Sequence, residues 1–330
     1  DTESGTNTFL ENKASQDGGA VVISGESSIN VDNTLFQDNN ALNGGALSVS
    51  GIASPTISNS LFTQCSASIS GGAVQTQSNS SAVFYNCQMI DNYAFSSGAA
   101  FVAVDFSNTS LYNVQIENNH CPNQGGGMFV NDKSTVILNG VQFKKNSADS
   151  AGGALGIIIS GHADLTGCSF VGNTCGSTGG SIAMNNRATM IMKNSVISES
   201  FANSGGGVYS GDLSYSSYDN CTFSDNGVST RGGAMLLAGN ATIEMDSSRI
   251  TSNTARQSVG GGILIQDSVL AKISNSIFTD NQGTAGGGLY LESDVNFYAG
   301  SCSFKNNTAS NGGSIFIGAD SASIWSNIEC

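Results

Sequence analysis

The side chains best placed for chemistry are four carboxylates, Asp164, Asp219, Glu244 and Asp246, with Lys272 beyond them. Hydrolysis or elimination on a sugar needs a fixed acid–base pair, or a cation cluster beside a basic residue. Asp219 and Asp246 stand one repeat of about 27 residues apart. In adjacent turns of a solenoid their side chains come within about 5 Å. Glu244 adds a third carboxylate, and Lys272 follows one turn on. The group reads as a weak acidic patch able to hold a cation, and more readily as solvated surface. His120 and His162 sit in no His-x-x-His or Cys-x-x-Cys frame, and no calcium-loop sequence occurs. The sequence therefore names no catalytic residue, no metal ligand set and no cofactor.

These residues are spaced by a repeat. Two phrases alternate along the chain, Phe-x-x-Asn and Gly-Gly-small-apolar. The first opens with Phe9-x-x-Asn12 and Phe36-x-x-Asn39 and closes with Phe304-x-x-Asn307. The second runs through Gly44-Gly45-Ala46-Leu47, Gly152-Gly153-Ala154-Leu155 and Gly232-Gly233-Ala234-Met235. Fixed self-similarity of this kind means a solenoid, in which no single coil buries a core alone. Each coil holds three runs of alternating apolar residues, such as those ending in the Phe phrase, Ile263-x-Ile265 and Ile243-x-Met245. Period-two alternation marks strands with one buried side. The expectation is an all-β parallel β-helix of about twelve coils, 26–28 residues each, with three strands per coil. At about 4.8 Å per coil the rod is about 58 Å long.

The columns have architectural reasons. Phe stacks on Phe from coil to coil, each burial contributing about 1.5–3 kcal/mol. The Asn column comprises Asn12, Asn39, Asn92, Asn119, Asn146, Asn173, Asn226, Asn253, Asn281 and Asn307, broken at Cys65 and Ser200. It is expected at a turn, because Asn tolerates left-handed dihedrals. Stacked amides can also bond along the axis. The Gly pair supplies positive φ and a close backbone approach.

Composition narrows the function. Charged residues are only 11%, and the net charge is −14. Nucleic-acid binding wants a basic stripe, and anionic membranes attract basic segments, so both are excluded as partners. No apolar run is long enough to span a bilayer, so direct membrane insertion by this segment is excluded too. A hydroxyl-rich, acidic rod suits the outside of a cell. No composition shift divides residues 1–330, which read as one domain. Near the end, Trp325 fills the third apolar column, Asn327 restarts a coil and Cys330 takes its Phe position. That pattern reads as a fragment of a longer chain.

Eight cysteines outside a cell suggest disulfides, but the register opposes them. Cys87, Cys168, Cys221 and Cys302 share one column, two residues before Phe, in non-adjacent coils. Neighbours are about 10–14 Å apart, too far for a bridge. Ser, Thr or Val fills the column elsewhere, so these cysteines read as small inward residues. Cys121 and Cys175 share another column, two coils apart. Cys168 and Cys175 are the best candidate pair, and Cys302 with Cys330 the next.

One outward column, in the strand after the Gly pair, is apolar and aromatic. Phe129, Tyr209, Leu236, Leu264, Tyr290 and Phe316 form its ridge, whereas the third strand turns out Asp32, Ser58, Asn139 and Asp219. An exposed apolar ridge marks a contact with a partner, although aromatics also simply suit strands. No Thr or Ser ladder is regular enough for ice binding. Sequons occur at Asn79, Asn108, Asn220, Asn240 and Asn306.

The linked Gly-Gly-Ala-apolar and Phe-x-x-Asn phrases resemble the polymorphic membrane proteins of chlamydiae, over nearly the whole chain. The resemblance implies a right-handed β-helix and the passenger rod of an autotransporter adhesin. Its partners would be a protein or glycan at a cell surface, or another copy of the chain. Gly161-His162-Ala163 is faintly similar to the Gly-His-Gly of polygalacturonases, without that family's Asp pair and basic motif. The expected function is extracellular or cell-surface adhesion or surface structure, without catalysis. The alternatives are a structural stalk and a carbohydrate-active β-helix enzyme, a polysaccharide lyase or hydrolase.

Overall fold

A computed structural model describes residues 6–255 and 257–329. Within them the chain winds as a parallel β-helix, with no helical segment. Three sheets hold twelve parallel strands each, and a fourth holds ten. The sixth coil shows the order. Gln142–Lys144 belongs to the first sheet and Ser147–Ala148 to the short fourth sheet. Leu155–Ile157 lies in the second sheet and His162–Thr166 in the third. Three strands per coil is thus corrected to four. The extra strand is often two residues long, too short for alternation to show.

Register holds from coil to coil, so like residues stack. Phe36 and Phe62 stack at 4.5 Å, Phe143 and Phe170 at 4.6 Å, and Phe278 and Phe304 at 4.5 Å. All six are buried. At the far end Trp325 lies 4.8 Å from Phe297, in the column expected of it.

The Asn column is a buried ladder rather than the left-handed turn. Asn119 accepts from the Asn92 backbone N–H at 2.9 Å and amide at 3.0 Å. It donates to Met89 O at 2.9 Å and to Asn146 Oδ1 at 2.9 Å. Positive φ belongs to the residue before, as at Asp91, Asn118 and Lys145. The reason is the corner: the exposed residue turns the chain, and the next can then point its amide inward. Both breaks are bridged. Cys65 N–H donates to Asn92 Oδ1 at 3.0 Å. At Ser200 the relay runs from Asn173 Nδ2 to Ser181 Oγ at 3.2 Å and on to Ser200 Oγ at 2.7 Å. Ser181 takes the place of the usual Ala after the Gly pair, so the two deviations compensate each other.

The Cys column is a second ladder, of hydroxyls and thiols. Cys168 N–H donates to Ser195 Oγ at 2.9 Å, and Cys221 N–H to Ser248 Oγ at 3.1 Å. The thiols themselves face carbonyls, Cys168 Sγ at 3.3 Å from Leu138 O. All seven described cysteines are free and buried. The Cys168–Cys175 bridge is therefore corrected: both thiols are free, Cys168 Sγ meeting the Leu138 carbonyl and Cys175 Sγ accepting from the Ser177 N–H. The Cys302–Cys330 pair lies partly outside the described residues, since Cys330 is not among them. Burial pushes Cys65, Cys87, Cys168 and Cys221 up to about 11, and Cys121 up to about 12. A raised thiol keeps its proton better in the folded state. That stability is complete below the ordinary thiol value of 9.0 and is lost as pH rises through the folded values. The urea midpoint is expected to hold to about pH 8.5 and fall steadily toward about pH 11. Replacing Cys168 and Cys221 by Ala should flatten the fall; an unchanged slope would exclude the thiols as its cause.

One core residue is mismatched. Tyr218 is buried beside Phe223, with ring centres at 5.3 Å, and its hydroxyl has only the Ser216 hydroxyl near it, outside ordinary hydrogen-bond geometry. An unsatisfied buried hydroxyl costs about 1–3 kcal/mol. Tyr218→Phe is accordingly expected to raise the urea midpoint; a fall would mean the hydroxyl is satisfied in solution.

Candidate functional site

Asp219 and Asp246 do occupy one column of adjacent coils, with Glu244 and Lys272 aligned beside them. Glu244 and Asp246 are already satisfied by the protein's own donors. Glu244 accepts from Lys272 at 3.1 Å and from the Tyr215 hydroxyl at 3.0 Å. Asp246 accepts from Ser274 at 2.5 Å, Asn275 at 2.7 Å and Ser247 at 2.8 Å. The hydrogen bond from Lys272 lowers Glu244, and those from Ser274 and Ser247 lower Asp246. Both stay ionised, so neither is poised as a general acid. Among the described residues no group of three or more His, Cys, Asp or Glu converges as a metal site.

Asp164 lies elsewhere, beside His162. His162 Nε2 is 3.1 Å from Asp164 Oδ1, and Nδ1 is 2.6 Å from Thr189 Oγ1. Hydroxyl, imidazole and carboxylate in line can activate a nucleophile. The same imidazole–hydroxyl contact recurs on another sheet, where His120 Nδ1 meets Ser147 Oγ at 3.0 Å with no acid bonded to it. In both cases the partner is the residue in register on the next coil. The contact is a rung between coils, the same kind as those of Asn and Ser.

The apolar column after the Gly pair keeps perfect register, with Tyr209, Leu236, Leu264, Tyr290 and Phe316 paired in sequence. Its exposure needs correcting. Phe129, Leu236 and Leu264 are buried, and Tyr209, Tyr290 and Phe316 are half-buried. The strands here are three residues long, and the entry turn lies close against the middle residue. A Cβ placed on Gly260 would sit 2.9 Å from Leu264 Cβ, and one on Gly232 would sit 3.1 Å from Leu236 Cβ. Arg231 crosses from the entry side to Gln266 at 3.0 Å and to Glu292 at 3.8 Å on the exit side. The ridge is the floor of a shallow trough. The ridge is covered at Leu236 and Leu264 and partly open at both ends, at Tyr209 and at the far end, where Tyr290 and Phe316 stack at 4.8 Å.

Two exposed features escaped the sequence reading. A second Asn column, at Asn33, Asn59, Asn86, Asn113, Asn194, Asn220 and Asn275, turns the corner from the third sheet to the first with positive φ. Its spacing of one repeat was a visible signal. The other is an aromatic pair on the fourth sheet, Tyr93 and Phe95, both exposed. The five sequon asparagines are all exposed as well.

The family profile described as a right handed beta helix region matches residues 2–174 and again 155–328. The chain belongs to the right-handed β-helix family. The handedness expected from the resemblance thereby holds. No curated protein and no solved structure matches the chain. Family membership covers both sheets and turns of the whole rod but is compatible with surface and enzymatic roles alike.

Proposed function

We propose that this β-helix is a non-catalytic rod acting outside the cell or on its surface, in adhesion or surface structure. The observation that carries the reading is the satisfied surface. Glu244 and Asp246 are held ionised by neighbouring donors, and the imidazole contacts are coil-to-coil rungs. What faces solvent is a set of hydroxyl, amide and aromatic columns with the spacing of the coils. The Gly-Gly-Ala and Phe-x-x-Asn phrases support a passenger rod like those of chlamydial surface proteins. The partner is then a surface protein, a glycan or another copy of the chain.

The test is binding of fluorescently labelled protein to whole cells and to extracellular-matrix glycans, beside incubation with plant and microbial polysaccharides. Saturable cell binding without new reducing ends or unsaturated products fits the adhesin. Absence of binding with absence of products leaves the stalk. Product release would overturn the reading in favour of an enzyme.

A further inference from the structure

Phe95 is 67% exposed, the most exposed of the large apolar side chains in the described part of the rod. Tyr93, two residues before it and 40% exposed, opens the two-residue strand Tyr93–Ala94 of the fourth sheet, and Phe95 follows in the bend after that strand. In the neighbouring coils the Tyr93 column holds Asn40, Ser66, His120 and Ser147. The two aromatics thus stand beside Ser66 of the preceding coil, with the His120 ring 6.0 Å from Tyr93 on the following one. They form one wall of a shallow cleft of about 380 Å³, lined by Asn40, Ser66, Ala67, Ser68, Tyr93 and Phe95. No charged side chain lines it. Asn40 Nδ2 donates to Ser66 Oγ at 2.9 Å, which leaves the Ser66 hydroxyl free to donate.

We propose that this cleft binds a neutral oligosaccharide of hexoses. A pyranose ring has an apolar C–H face and a rim of hydroxyls. The exposed Phe95 and Tyr93 rings offer apolar faces, with a polar tip on Tyr93. The Ser66 hydroxyl one coil away, about 4.8 Å along the axis, and the Asn40 amide two coils away match the rim. The uncharged lining selects against uronates and sulfated sugars, and the net charge of −14 repels them at longer range. Binding is non-covalent, and the proposal rests on the reading of the rod as a binding surface.

Calorimetric titration with cellohexaose, mannohexaose and laminarihexaose tests it, using the whole chain and the variants Phe95→Ser and Tyr93→Ser. The expected result is saturable binding of at least one hexasaccharide, weakened at least about tenfold by Phe95→Ser. The exposed position leaves folding intact, which an unchanged melting temperature checks. No binding of any of the three overturns the proposal, as does equal affinity in Phe95→Ser. Sedimentation at rising concentration identifies another occupant: self-association abolished by Phe95→Ser would mean a second copy fills the cleft, and the sugar assignment would fail. Cleavage of a bound hexasaccharide would leave the sugar site standing and remove the non-catalytic reading instead.

Discussion

Asn119→Ala is expected to destabilise the rod by about 3–5 kcal/mol, read from the urea midpoint. The amide lies inside the helix and joins three coils. Without it the Asn92 backbone N–H and amide lose their acceptor, and Met89 O and Asn146 Oδ1 lose a donor. Each net hydrogen bond contributes about 1 kcal/mol, and each buried group left unpaired costs about 1–3 kcal/mol more. Water cannot repair the loss, because Asn92, Asn119 and Asn146 are all buried. The adjacent Asn118 provides the control. It is exposed and carries φ of 55°, so Asn118→Ala loses only left-handed preference, about 1 kcal/mol. Equal effects at the two positions would refute the ladder as a source of stability.

Gly152→Ala is the second large effect, about 3 kcal/mol or more. The first glycine of the pair has positive φ in all twelve coils, 60° at Gly152. Positive φ alone does not demand glycine in this protein, since Lys145 holds 52° one corner earlier. The difference is what a side chain meets. A Cβ on Gly152 would overlap the carbonyl oxygen of Leu155 and sit 2.8 Å from its carbon, in the strand that the turn leads into. Backbone cannot rotate away as a side chain can. Gly172 stands in the permissive corner, with φ of 65° and Lys145 Cγ, the nearest atom, 3.8 Å from an added Cβ. Gly172→Ala should cost only about 1 kcal/mol. Thermal and urea unfolding of the two variants side by side distinguish steric overlap from dihedral preference; matched losses would favour the dihedral alone.

Much of the architecture was legible because it repeats. Strand alternation, the Phe stack, the Gly pair and the inward cysteines all follow from columns one coil apart, and each is a local preference written twelve times. The corners were less legible. Asn118 and Asn119 are the same residue type side by side, yet one turns the chain in solvent and the other bonds inside it. Only the dihedral angles separate them. The two-residue strands of the fourth sheet, such as His120–Cys121, are too short to carry a period.

The surface divided in the same way. The sequence by itself determined which residues share a face: Asp219 with Asp246, and Tyr209 with Leu236 and Leu264. Alternation and repeat length suffice for that. Whether a face is open depends on neighbours that no single column records. Arg231 and the turn glycines cover Leu236 and Leu264, while Lys272, Ser274 and Asn275 occupy the carboxylates of Glu244 and Asp246. Phe95 stays bare in the bend after the two-residue strand Tyr93–Ala94, where it is 67% exposed. Repetition encodes the backbone; solvent access is decided by how the turns fold over the strands, and that is a property of the assembled coils.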